Sequence, residues 1–98
     1  MKPGPKMLLQ AAEGLAIQAL TFIAGDEERL GRFLAATGIG PGEIRAASSD
    51  PGFLAGVLDY LSSDERLVTD FATEGGIDPA SVEKARHVLG GAWERDIP

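Results

Sequence analysis

Two stretches decide the fold: Leu20-Thr21-Phe22-Ile23-Ala24-Gly25-Asp26-Glu27 and Leu58-Asp59-Tyr60-Leu61-Ser62-Ser63-Asp64-Glu65. They lie 38 positions apart and align without a gap. The same offset pairs Leu30 with Val68, Phe33 with Phe71, Gly38-Ile39 with Gly76-Ile77, Pro41 with Pro79, Ile44 with Val82 and Ala47 with Ala85. Self-similarity at a fixed period marks a repeated supersecondary unit. Two units are too few for an open solenoid, so the expected fold is all-α: a compact bundle of about six helices made from two tandem three-helix repeats packed as a pseudo-twofold pair.

Working outward, Leu8, Ala12, Leu15, Ala16, Ala19, Phe22 and Ile23 recur at helical spacing and predict a first helix from about Lys6 to Ala24. Asp26 is the natural N-cap of a second helix, about Glu27 to Thr37, with acidic residues in its first turn and Leu30, Phe33 and Leu34 facing inward. Gly38 ends it in the manner of a left-handed cap. A short third helix starts at Pro41 and reaches about Ser48, with Ile44 and Ala47 inward. In the second unit, Asp50-Pro51 opens a helix through Leu61, and Ser62 with Glu65 has the spacing of a capping box for a helix ending near Glu74. Gly75-Gly76 closes that helix. Asp78-Pro79 caps the last, to about Leu89, after which Gly90-Gly91 releases a tail. The units are thus 6–48 and 50–90, the tail is 91–98, and no stretch alternates as a strand does.

Ninety-eight residues with 44% hydrophobic side chains suit one domain, 1–98, with one core. Without cysteine there is neither a disulfide framework nor a thiolate ligand, and a reducing, cytoplasmic setting is expected. The start of the chain, Lys2 and Lys6 before Met7-Leu8-Leu9, imitates a secretory signal. Gln10, Glu13, Gln18 and Thr21 interrupt the apolar run before it reaches the roughly 18 residues of a membrane span, so no membrane segment is expected.

The formal charge of −6 is uneven: residues 1–45 carry five basic and five acidic side chains, and residues 46–98 carry four and ten. Such a balance repels phosphate backbones and anionic lipids, making nucleic acid an unfavoured partner. Arg29, Arg32 and Arg45 give the first unit a basic edge against the acidic second unit, a polarity able to steer a protein partner or a second copy.

The sharpest chemical motif runs from Phe71 through Glu74-Gly75-Gly76-Ile77-Asp78-Pro79 to Val82, which reads as helix, glycine turn and helix. As a helix-turn-helix over residues 71–89 it would offer Ser81, Lys84 and His87 to bases or phosphates, with Lys84 and Arg86 on a positive face. Asp70, Glu74, Asp78 and Glu83 crowd the motif and oppose that use. Asp26-Glu27-Glu28 and Asp64-Glu65 suggest a hard-cation loop, but Leu30 and Thr37 stand where oxygen ligands are needed, and helix capping accounts for the acids. Gly38-Ile39-Gly40-Pro41-Gly42 follows no strand and precedes no Lys-Ser or Lys-Thr, so it is no phosphate loop. The lone His87 and the serines Ser48, Ser49, Ser62, Ser63 and Ser81 have no orienting acid and base beside them, so no catalytic residue, cofactor or metal is assigned. Trp93 reads as a lid over the core near the end of the chain.

The run Ala19-Leu20-Thr21-Phe22-Ile23-Ala24-Gly25-Asp26-Glu27-Glu28-Arg29-Leu30-Gly31-Arg32-Phe33-Leu34, with Asp50-Pro51-Gly52-Phe53-Leu54 and Val57-Leu58-Asp59-Tyr60-Leu61, resembles a family of short alphaproteobacterial proteins sharing a domain of unknown function (3572). The resemblance implies a compact helical protein of the bacterial cytoplasm and carries over no activity or site residue. The expected function is therefore a small protein-binding or adaptor domain. The alternatives are a helix-turn-helix regulator and an enzyme with its site between the repeats. An exposed apolar patch favours the first, a positive face along Lys84 and Arg86 the second, and a deep pocket with convergent polar groups the third.

Overall fold

A computed structural model describes residues 5–95, with side chains for 8–90. Six α-helices follow one another: α1 (Pro5–Ala24), α2 (Glu27–Thr37), α3 (Ile44–Ala47), α4 (Pro51–Ser62), α5 (Glu65–Gly75) and α6 (Pro79–Arg95), with a 3-10 turn at Pro41–Glu43 leading into α3. No strand occurs among the described residues.

Local chemistry sets these boundaries. Asp26 has extended backbone (φ −133°) and accepts from the Glu28 and Arg29 backbone N–H groups at 2.8 and 3.3 Å, which satisfies two of the free donors at the start of α2. Thirty-eight residues on, Asp64 (φ −134°) does the same for α5, accepting from Arg66 and Leu67 at 2.9 and 3.4 Å. Both helices end on a left-handed glycine, Gly38 at φ 72° and Gly76 at φ 62°. Gly38 N–H closes on the Leu34 carbonyl at 2.8 Å, and α5 adds a bond from Ile77 N–H to the Ala72 carbonyl at 2.9 Å. Asp50 and Asp78 cap α4 and α6 through the Gly52 and Ala80 N–H groups at 2.8 and 2.9 Å.

The three central helices are α1, α4 and α6, which pack on one another; α2 and α5 flank them. The buried residues of α1 are Ala12, Ala16, Ala19, Leu20 and Ile23, three of them small side chains that admit its neighbours closely. Facing it are Leu54, Val57, Leu58 and Leu61 of α4 and Val82, Ala85 and Leu89 of α6. The flanking helices each send one phenylalanine into this core. Phe33 of α2 meets Tyr60 at 5.2 Å between centroids and Phe53 at 6.1 Å, whereas Phe71 of α5 meets Phe22 at 5.4 Å. The 38-residue offset relates the pair Phe22–Phe71 to the pair Tyr60–Phe33, so in both cases the ring of a first helix meets the phenylalanine from the other half of the chain.

Four details differ from the sequence reading. Ser62 and Glu65 form no capping box, because Ser62 is still within α4 and the extended backbone an N-cap needs first appears at Asp64. The segment from Pro41 begins as a tighter 3-10 turn, leaving α3 a single turn. The last helix does not stop near Leu89: it runs through Gly90 and Gly91 to Arg95, since glycine raises the cost of helix by only about 1 kcal/mol and breaks it only where a left-handed backbone is adopted. The tail expected at 91–98 is thus helical as far as Arg95, and the side chain of Trp93, read as a lid, lies outside the described residues. Finally, Leu8, placed on the inner face by periodicity, is 43% exposed. It sits where α1 extends beyond the span that corresponds to α4, so periodicity alone does not supply a cover for it.

Candidate functional site

Among the described residues no polar or charged side chain is buried, so chemistry has to be sought at the surface. The surface feature that stands out is a groove between α1 and the α5–α6 corner, made of two adjoining cavities that share Ile77. The first, about 360 Å³, lies against Phe22, Phe71 and Glu74, with Ile17 and Gln18 on its α1 side. The second, about 480 Å³, continues along α1 past Leu15 and Ala11 to Leu8, with Ser81, Lys84 and Val88 of α6 opposite. Leu8 and Ile17, the large hydrophobic side chains left exposed among the described residues, at 43% and 45%, each line one of the two cavities.

Local geometry holds this groove in shape. Ile77 folds back on Gly75 so tightly that a Cβ added there would sit 2.8 Å from the Ile77 Cδ1; only glycine leaves that methyl in place. At the Phe22 end, Arg29 lies 4.0 Å over the Phe22 ring, donates to the Phe22 carbonyl at 3.4 Å, and pairs with Asp26 at 3.6 Å and Glu74 at 3.7 Å. One guanidinium thereby links the ends of α1 and α5 and the start of α2. The Asp26 carboxyl is held below its ordinary value of 3.8, chiefly by the Arg29 backbone N–H, then by that of Glu28, with the Arg29 charge adding to both.

Of the residues singled out for nucleic acid, Ser81 and Lys84 come together on the groove, across from α1, whereas His87 is exposed and not on its lining. The helix that carries them is a central helix of the bundle, packed on α1 and α4, so its free surface is narrower than that of a projecting recognition helix. Arg86 does not extend a positive face: it meets Glu83 at 2.6 Å and Asp59 at 3.5 Å, and the hydrogen bond and charge of Glu83 raise its pKa further. Of the acids considered for a cation, Asp26 and Asp64 act as caps and Glu27, Glu28 and Glu65 stand in the first turns of α2 and α5, and the described residues hold no group of three or more histidine, cysteine, aspartate or glutamate side chains fit for a metal ion. Both cavities are open and walled largely by apolar side chains, without the convergent polar groups that a catalytic site between the halves requires. No single helix among the described residues is long and apolar enough to cross a membrane.

The groove was not legible beforehand, since Leu8, Leu15 and Phe22 were assigned to one inward stripe. The available signal was the unequal length of the corresponding helices.

Fold and site together define a small all-helical domain with an open apolar groove along one side. The chain belongs to the family described as Protein of unknown function (DUF3572), whose model matches residues 9–92. No curated protein and no solved structure is significantly similar to it.

Proposed function

We propose that this chain is a protein-binding, adaptor-type domain of the bacterial cytoplasm that receives an apolar segment of another protein in the groove between α1 and the α5–α6 corner. The observation that carries the reading is the coincidence of exposed hydrophobicity with concavity: Leu8 and Ile17 both lie on the one groove. Exposed large apolar side chains gathered on a concave surface mark association sites, whereas scattered ones do not. A groove along a helix suits an apolar helix face, whose anchors recur at i, i+3 or i+4 and i+7.

Photo-crosslinking in cells tests it. A benzophenone amino acid at Ala11 or Gln18, both exposed on the groove, is expected to capture the same protein. The same group at Arg45 or Thr69, exposed elsewhere, is expected to capture none of it. Equal capture from all four positions, or nuclease-sensitive adducts at the groove, refutes the reading.

A further inference from the structure

The two halves of the molecule carry unequal sets of rings around their corresponding phenylalanines. Phe33 lies between two rings of α4, Phe53 and Tyr60, which are seven residues and about two helical turns apart. The 38-residue offset places Leu15 and Phe22 of α1 at the corresponding positions around Phe71. Phe22 makes its ring contact with Phe71, but Leu15 is a leucine where the other half has a phenylalanine. The two cavities meet at Ile77, between the wall that holds Phe71 and the wall that holds Leu15. The cluster around Phe33 thus has three rings, while the one around Phe71 has two, with the open groove beside it.

The charges around that space have a direction. Glu74 and Asp78 lie at the Phe71 end and beside Ile77, and Lys84 lies further along toward Leu8. Glu74 is 60% exposed and shares Arg29 with Asp26, so its charge is only partly offset. By sequence, residues 46–98, which include Glu74 and Asp78, carry ten carboxylates against four basic side chains. A second copy of the same chain, at net −6, is a poor electrostatic match, whereas a basic segment is drawn to this end.

We infer that the groove binds an amphipathic helix of a different protein that inserts one aromatic ring beside Phe71 and Ile77 and places a lysine or arginine about one turn away, against Glu74 and Asp78. The inserted ring takes the place that Phe53 fills in the other half. This rests on the groove being a docking surface, and it adds the chemistry of the occupant.

The test uses the full chain and a displayed library of 16-residue helical peptides with one face randomised. Selected peptides are expected to share an aromatic residue at one position with a basic residue three or four positions away. Replacing that aromatic residue by leucine is expected to weaken binding at least about tenfold, as for a central interface anchor. Leu15→Phe supplies the missing ring from within and is expected to weaken the selected peptide by a similar factor while the helical signal and melting temperature are kept; Glu74→Lys is expected to weaken it in a salt-dependent way. Methyl NMR of Ile17 and Ile77 during the peptide titration checks that binding occurs in the groove. Selected peptides that bind there without an aromatic requirement overturn this inference and leave the docking surface standing. A folded chain that selects no peptide, or whose Ile17 and Ile77 methyls do not respond, overturns both, and a rise in sedimentation coefficient to that of a dimer that blocks selection points to a second copy instead.

Discussion

Replacing Phe33 should release α2 from the rest of the molecule. Phe33 is the only buried residue of α2, fully enclosed, and its neighbours on that helix, Leu30 and Leu34, are only half-buried. Truncating a buried phenylalanine to alanine costs about 3–5 kcal/mol, including the cavity left behind. A domain of this length has a total stability of about 5–15 kcal/mol, so the loss is a large share of it. Phe33→Leu keeps most of the apolar burial and removes the two ring contacts, at about 0.5–1.5 kcal/mol each, for a loss of roughly 1–3 kcal/mol. With a urea slope of about 1.5–2 kcal/mol/M, Phe33→Ala should lower the denaturation midpoint by about 1.5–3 M, and Phe33→Leu by about 0.5–2 M. Far-UV circular dichroism across a urea series reads both values. A double-mutant cycle with Tyr60→Leu should yield a coupling of about 0.5–1.5 kcal/mol, and the related cycle, Phe22→Leu with Phe71→Leu, one of similar size. The reasoning is refuted if Phe33→Ala costs less than about 1 kcal/mol, well below the range for a buried aromatic, or if one cycle couples and the other does not.

Gly38→Ala and Gly76→Ala each place a Cβ on a left-handed backbone and should cost roughly 1–2 kcal/mol in the same urea assay, with no cavity or contact involved. Gly75→Ala is a different case: its backbone is helical, so the added propensity offsets the close approach to Ile77, and the melting temperature should change little while the Ile77 Cδ1 resonance shifts and peptide binding in the groove falls. For Asp26 the sign follows from its lowered pKa. The ionised form is favoured in the folded state, so its contribution is complete above the ordinary value of 3.8 and is lost as pH falls through the lower folded value. The stability difference between the wild-type chain and Asp26→Ala, measured by urea denaturation across pH, should therefore be widest near neutrality and shrink below 3.8; a difference that grows on acidification counts against the cap.

Elements whose cause lies in one or two adjacent residues could be read from the sequence. Asp26 and Asp78 read as caps because a short acceptor before a helical run satisfies the free N–H groups within its own turn, Asp50-Pro51 reads as a helix start, and Gly38 and the pair Gly75-Gly76 read as helix ends. What required the whole fold was anything decided by competition. Ser62 with Glu65 has the spacing of a capping box, but α4 runs through Ser62, so the cap falls at Asp64. Gly90-Gly91 resembled the stop at Gly75-Gly76, yet in the first pair the helix continues. The apolar stripe of α1 was visible, but its division into buried Ala12, Ala16 and Ala19 and exposed Leu8 depends on how far its neighbours reach, which periodicity does not encode.

That same difference in reach explains why the groove lies where it does. Carried back 38 positions, the span of α4 covers residues 13–24, which leaves residues 5–12 of α1 without a counterpart; likewise α3 corresponds only to the opening of α6, and residues 86–95 extend past it. The second cavity draws Leu8, Ala11 and Ala12 from the first overhang and Val88 from the second. In the middle of the chain, α3 and α4 are joined by three residues, Ser48, Ser49 and Asp50, which leave no room for either overhang. Beside the groove, α1 and α6 both run past the lengths that α4 and α3 reach. Residues of the overhangs that face the core are still buried, as Ala12 and Leu89 are, whereas Leu8, nearer the outer end of α1, is not. Leu8 is left exposed on the groove. Shortening the overhang should therefore separate binding from folding: deleting residues 1–8 should leave the core of α1, α4 and α6 melting cooperatively, while affinity for a groove-selected peptide falls. Loss of cooperative unfolding on that deletion would show instead that the overhang is part of the core, and the argument from unequal helix length would fail.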